Sequence, residues 1–273
     1  MQSRFKERLS YQTDPEELEE FMMQNNLDHD TSAQEPEEPA KQINRQERTP
    51  LHDAAEFGYP NFAITFIEHG DDINAVDAKG RTPLHAAVQA EQEEMVRFLI
   101  QRGADVNKKD KDGLTPLHLA VVLRSVTLAR LLLQAGANPR AEDARGRTPL
   151  HAAVQAWQEE KELQTQQEEV VRLLIQRGAD VNMKDKDGLT PLHLAVVLRS
   201  LTLPRLLLQA GANPRAEDAD GHTPFLFAYL FDEDEILELF LGTKPLKLEA
   251  GPSSTLRRHL VNLRPLAMIR SML

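Results

Sequence analysis

The chain has 273 residues, of which 27% are charged, with a net charge of −11 and no cysteine. The missing cysteine removes disulfides, Cys-ligated zinc and a Cys nucleophile together. The acidic balance argues against generic binding to phosphate backbones, which needs clustered Lys and Arg to displace counterions.

Residues 1–48 are acidic, and within them residues 14–38 hold ten acids and no Lys or Arg. Asp14-Pro15 is a strong helix start, and Leu18, Phe21 and Met22 then share a face that either docks or is left as part of a solubilising tail. Residues Thr31–Gln42 are polar and proline-rich, the composition of a linker. No apolar stretch follows the first residues to serve as a secretory core, and no run approaches membrane-spanning length. The expectation is a cytoplasmic or nuclear protein with no membrane partner, although specialised secretion into a host cell leaves no such trace.

The tetrapeptide Thr-Pro-Leu-His then starts at Thr49, Thr82, Thr115, Thr148 and Thr190, and a degraded copy, Thr-Pro-Phe-Leu, starts at Thr223. The spacings are 33 residues except for one of 42, and a fixed period of this size marks a stacked repeat architecture. In the unit from Thr82 to Leu114, Thr82 suits a helix N-cap and Pro83 the first helical position. Leu84, Ala87 and Val88 face one side of a short first helix; Met95, Val96, Phe98, Leu99 and Ile100 build a second, mostly buried one. Gly103 ends that helix, and Asp110-Lys-Asp-Gly113 forms a tight turn before the next Thr-Pro. The predicted unit is helix–turn–helix–hairpin, unable to bury its apolar faces except by stacking. The predicted organisation is an acidic, partly disordered segment at 1–48 with one short helix. Six repeats follow at 49–81, 82–114, 115–147, 148–189, 190–222 and 223–241, then a basic helical cap or tail at 242–273.

These motifs resemble the ankyrin-repeat family closely over residues 49–241, and the resemblance implies an all-α repeat solenoid with a concave groove. In the family a glycine usually separates the two helices. Here it survives only as Gly58, with Glu91, Arg124, Trp157 and Arg199 in its place, so those helices either run on or cap differently. The family also implies that partners are met by the hairpin tips and by two positions late in each first helix. Those positions are Glu56-Phe57, Gln89-Ala90, Val122-Leu123, Gln155-Ala156, Val197-Leu198 and Leu230-Phe231, so apolar pairs alternate with polar ones. The tips alternate too: Lys79, Arg81, Arg145 and Arg147 are basic, and Leu114 and Leu189 are apolar. The candidate groove set is therefore Phe57, Lys79, Arg81, Leu114, Val122, Leu123, Arg145, Arg147, Leu189, Val197 and Leu198. An acidic, amphipathic protein segment suits such a surface.

Repeats two and three are copied into four and five: Lys109–Ser125 is identical to Lys184–Ser200, and Leu131–Ala144 to Leu206–Ala219. The copy carries extra residues near Trp157–Thr165, rich in helix formers. They are expected to lengthen the helices of repeat four into a projecting, charged hairpin or loop, read either as a solvated insertion or as a partner-specific protrusion carrying Trp157. Pro204 stands where the twin has Ala129 and suits only the first turn of a helix.

Five of nine histidines are the fourth letter of the motif: His52, His85, His118, His151 and His193. Stacking holds them in a row, one per layer, so they read as structural residues bonded to the helix start. The pairs Asp110/Asp112 and Asp185/Asp187 lack the Glu that a calcium loop needs at its twelfth position. Asn107 and Asn182 lie in a Leu-x5-Asp-Val-Asn context that resembles the site of asparaginyl hydroxylases, beside a structural reading as hairpin residues. No phosphate loop, nucleophile elbow or kinase signature occurs, and the reading is of a non-enzyme with no cofactor and no metal.

The basic tail places Leu256, Leu260 and Leu263 on one face. It reads as an end cap, a docking helix, or a loose likeness of an elongin-binding box whose cysteine is missing. The functional expectation is a monomeric adaptor, scaffold or inhibitor that binds a protein in its groove. The alternatives are an effector-like or ubiquitin-ligase substrate adaptor, and an inhibitor of Rel-type transcription factors without the paired-serine degron.

Overall fold

The computed structural model describes residues 48–156 and 161–241. They contain twelve helices in six consecutive pairs, and no strand occurs among the described residues. The pairs are α1 (Pro50–Phe57) and α2 (Pro60–Glu68), α3 (Pro83–Gln89) and α4 (Glu93–Gln101), and α5 (Pro116–Val122) and α6 (Val126–Gln134). They continue with α7 (Pro149–Gln155) and α8 (Lys161–Gln176), α9 (Pro191–Val197) and α10 (Thr202–Gln209), and α11 (Pro224–Leu230) and α12 (Asp234–Leu241). The described residues form two compact units, divided between Ala144 and Arg145. Within the first, α1, α3 and α5 stack in order, with α2, α4 and α6 behind them; within the second, α7, α9 and α11 stack likewise, with α8 on α10.

Every first helix starts for the same local reason. The motif Thr is extended, as at Thr82 (φ −90°, ψ 168°), and Pro follows at the first turn, where a missing N–H costs nothing. The motif histidine closes the cap. Its Nδ1 accepts from the Thr backbone N–H at 3.0 to 3.3 Å in all five copies. The same nitrogen lies 2.8–2.9 Å from the Thr hydroxyl. The core is the apolar face those caps orient: Leu84, Ala87, Val88, Val96 and Leu99 in repeat two are all fully buried.

Glu91, Arg124 and Arg199 do not let their helices run on. Each adopts a left-handed conformation (φ 56°, 58° and 56°) and stops the helix where the family glycine would. An L-residue is strained there by roughly 1–2 kcal/mol, and the stack tolerates it because the following backbone N–H still closes the turn. Gln92 donates to the Ala87 carbonyl at 2.9 Å, and Ser125 to that of Ala120 at 3.1 Å.

The insertion in repeat four lengthens only its second helix. α8 has 16 residues against 9 in α4, while α7 keeps 7. Gln167, the counterpart of Gln92, consequently lies within α8 and is fully buried. Its side-chain amide donates to the Ala153 carbonyl, the counterpart of the Ala87 carbonyl that the Gln92 backbone serves. Trp157, the acidic segment 1–47 and the tail 242–273 lie outside the described residues. Pro204 falls at the third residue of α10, which begins one residue later than its twin α6, as a proline confined to the first turn requires.

Candidate partner-binding surface

The hairpin tips are built from one carboxylate each. Asp77 accepts from the backbone N–H groups of Lys79 (2.8 Å) and Arg81 (2.9 Å). Asp110, Asp185 and Asp218 repeat the pattern on the residues two and four positions on. These bonds engage Oδ1 of each first Asp in holding its own turn. Burial raises the Asp77 carboxyl, but hydrogen bonds from the Arg81 side chain and from the Arg81 and Lys79 backbone outweigh it and leave Asp77 below its ordinary value. At Asp185 burial prevails over the Leu189 and Asp187 N–H groups, and the carboxyl is raised.

Successive tips are laced by backbone bonds. Lys111 donates to the Lys79 carbonyl at 2.9 Å, Ala144 to that of Asp112 at 2.8 Å, and Ala219 to that of Asp187 at 3.0 Å. Gly113 has φ +77°, and a Cβ there would stand 2.6 Å from the Ala144 nitrogen. Glycine is therefore demanded both by the turn and by the next tip.

The histidine row does more than cap. Nε2 of His52 lies 2.9 Å from the Arg81 carbonyl, that of His85 3.2 Å from Leu114, that of His151 3.1 Å from Leu189, and that of His193 3.2 Å from His222. With Nδ1 accepting from Thr, Nε2 carries the proton and donates, so each ring ties one repeat to the next. Burial drives His52 and His85 below the ordinary value, and His193 down to about 4. Asparagines add a second lacing. Oδ1 of Asn107 accepts from the Asn138 N–H at 2.7 Å and its Nδ2 donates to the Gly136 carbonyl at 3.1 Å; Asn182 does the same with Asn213 and Gly211. The structural reading of these asparagines accounts for both ends of the side chain. Among the described residues, no group of His, Asp and Glu side chains is arranged to hold a metal ion, and no described helix is long and apolar enough to cross a membrane.

The tip and the first-helix end form one surface, through residues eight apart. Arg48 is ion-paired with Glu56; Arg81 donates to Gln89 and Arg147 to Gln155, each at 2.9 Å. The pairs at the same register in repeats three, five and six are Leu114/Val122, Leu189/Val197 and His222/Leu230. The two alternations in the sequence, at the tips and at the helix ends, are thus one alternation of pairs. That coupling was visible as matched Arg/Gln and Leu/Val spacings and was missed. A cleft of about 300 Å³ opens between the first two repeats, lined by Arg48, Glu56, Arg81, Ala86, Gln89 and Ala90.

The sequence-predicted residues are not equally placed. In the first unit Phe57 is 39% exposed and Val122 50%, while Lys79 is exposed and Leu114 and Leu123 half-buried. Val76, on the first hairpin, is 46% exposed and was not anticipated. Arg81 is half-buried and already ion-paired with Asp77 at 2.7 Å, so a partner would meet a neutralised guanidinium. In the second unit Arg145 is exposed, and Arg147, Val197 and Leu198 are half-buried. Leu189 is a correction: it is 6% exposed and belongs to a core with Val196, Phe227, Ala228, Ile236 and Leu237, against which Val197, Tyr229 and Phe231 pack. It faces inward because repeat six projects aromatic side chains onto it.

Comparison with known proteins follows the same line. A profile of ankyrin repeats, in three copies, matches residues 13–110, 103–185 and 161–249. The structure is similar to the crystal structure of the ankyrin repeat domain of Bcl-3, described as a unique member of the IkappaB protein family. The TM-score is 0.63 and the identity 33%, over 71% of this chain and 85% of that one. No curated protein sequence matches significantly.

Proposed function

This chain belongs to the ankyrin-repeat family, and on that premise we propose that it is a non-enzymatic binding module, an adaptor, scaffold or inhibitor in the cytoplasm or nucleus. The observation that carries the reading is the exposure of apolar side chains at the ends of first helices. Phe57 and Val122 end first helices with 39% and 50% of their surface in water, although the same helices bury Leu51, Ala55, Leu117 and Val121 completely. Large apolar groups left exposed beside a tightly packed face are the usual mark of a contact surface. The proposed contacts are Phe57, Lys79, Leu114, Val122 and Leu123 in the first unit and Arg145, Arg147, Val197 and Leu198 in the second, with Arg81 a weaker contributor. Leu189 is no longer among them.

The test is a quantitative pull-down from native cells, comparing wild type with Leu123→Glu/Leu198→Glu after circular dichroism has verified both folds. Partners lost only from the variant support recognition through the helix ends. An unchanged partner list removes this reading and moves recognition to the termini or to the insertion.

A second reading, an inhibitor of Rel-type transcription factors, is favoured by the 33% identity to a domain described as belonging to the IkappaB family. Thr-Pro-Leu-His recurs in five of the six units and supplies part of any such identity, so the general module reading stands first. Direct titration of a purified Rel-type dimer separates the two.

A further inference from the structure

The seventeen residues 109–125 and 184–200 are identical, yet their surfaces are not in the same state. Val122 is 50% exposed, whereas its copy Val197 is half-buried; Leu114 is half-buried, whereas its copy Leu189 is 6% exposed. What covers the second copy is part of this same chain. Phe227 lies edge-on to the His193 ring at 5.6 Å and to Phe231 at 6.2 Å, and Val197 and Phe231 pack against the cluster that Leu189 and Phe227 share. Arg199 fixes the covering segment by donating to the Phe231 carbonyl at 3.4 Å and pairing with Glu233. In the register of the repeats, Phe227 and Phe231 correspond to Ala86 and Ala90 in repeat two and to Ala152 and Ala156 in repeat four.

The protein therefore displays, in repeat five, the occupant that this Leu-Thr-Pro-Leu-His-Leu-Ala-Val-Val-Leu surface accepts. We propose that the patch of Leu114, Val122 and Leu123 in the first unit is the primary recognition site, and that it takes an aromatic side chain from a partner protein segment. Phe227 and Phe231 occupy the copied surface in that manner. The covered copy, Leu189 and Val197, is then secondary. The inference rests on the binding-module reading and narrows it to one of two chemically identical patches. Aromatic side chains suit such a role because they bury a large area for few frozen rotations.

The experiment is selection of a displayed library of random peptides on the full chain, followed by titration of the enriched peptides. The chain is used as wild type, Val122→Glu, Val197→Glu and Val122→Thr, the last keeping the side-chain shape while replacing a methyl by a hydroxyl. The expected result is an enriched set that shares a Phe, Tyr or Trp. Its affinity should fall about tenfold or more in Val122→Glu, fall less in Val122→Thr, and hardly change in Val197→Glu. Three results overturn the inference: enrichment without an aromatic residue, equal loss in the two Glu variants, or no enrichment at all. Self-association of the chain that depends on Val122, seen by sedimentation, also overturns it by placing a second copy on the patch. If the peptides lack aromatics but are lost in Phe57→Glu or Lys79→Glu, this inference falls while the binding-module reading stands. If no substitution at a helix end or tip affects any peptide, both fall.

Discussion

Repeats three and five set one stretch of sequence in two surroundings, and the difference separates what a repeat does for itself from what its neighbour does to it. Both copies fold alike: α5 and α9 have the same seven residues, the same Thr cap and the same His closure. They diverge in what covers these helices and at the next helix, where α10 starts one residue later than α6. Repeat six brings Phe225, Phe227, Tyr229, Phe231 and Phe240 to the second unit's core or its margin, and these remove Leu189 from water and half-cover Val197. The exposure of a groove residue is thus a property of the adjacent repeat's side chains, although its position is a property of its own.

Breaking that cover gives the largest expected effect. Phe227→Ala should cost about 3–5 kcal/mol, the usual range for emptying a buried aromatic site, since Phe227 is 4% exposed. It should also make repeat five resemble repeat three. Chemical denaturation reads the first consequence, and hydrogen exchange confined to residues 189–198 reads the second. A loss below ~1 kcal/mol would mean that the cover contributes little to the stack.

Acid should act next. The unfolded chain's His titrates near its ordinary 6.5, while burial holds folded His193 at about 4. Between those values the unfolded state binds more protons, so stability present above pH 6.5 is lost as pH falls to about 4 and then levels. His193 alone accounts for a loss on the order of 3 kcal/mol, and the lowered His52 and His85 act in the same direction. Denaturation midpoints measured from pH 7.5 to 3.5 test this, and the decline should be shallower in His193→Gln.

Smaller and symmetric effects are expected at the twin tips. A Cβ at Gly113 or Gly188 would meet the Ala144 or Ala219 nitrogen at 2.6 or 2.5 Å, at φ +77° or +75°. Gly113→Ala and Gly188→Ala should each cost roughly 1–3 kcal/mol. Equal losses in thermal melts would show that the copies share their tip mechanics; unequal losses would extend the divergence to the tips.

The smallest effect has the opposite sign. Glu91→Gly removes left-handed strain of roughly 1–2 kcal/mol against an entropic cost of ~0.5–1, for a net gain of about 0.5 kcal/mol. Arg199→Gly should gain less, because it also gives up the Glu233 pair, an exposed contact worth ~0–1 kcal/mol. A clear loss in Glu91→Gly would show that the glutamate makes a contribution beyond its backbone angle.

The sequence by itself determined the repeat period, the Thr-Pro starts, the Asp-x-x-Gly tips and the histidine row. The caps and tips rest on hydrogen bonds within about four residues and are therefore written locally, whereas the Nε2 bonds of the histidines reach 29 to 38 residues along the chain and need the stack. Other features were decided only by the tertiary structure. Glu91, Arg124 and Arg199 stop their helices without glycine because the stack holds the chain in place around them. Gln167 turns its side chain to the Ala153 carbonyl because nine inserted residues displaced the backbone donor. Leu189 is core while Leu114 is half-buried because the side chains that exclude water from Leu189 arrive from Phe227, 38 residues further along the chain. Burial is settled by neighbours in space, and two identical sequences can be told apart only when those neighbours are in place.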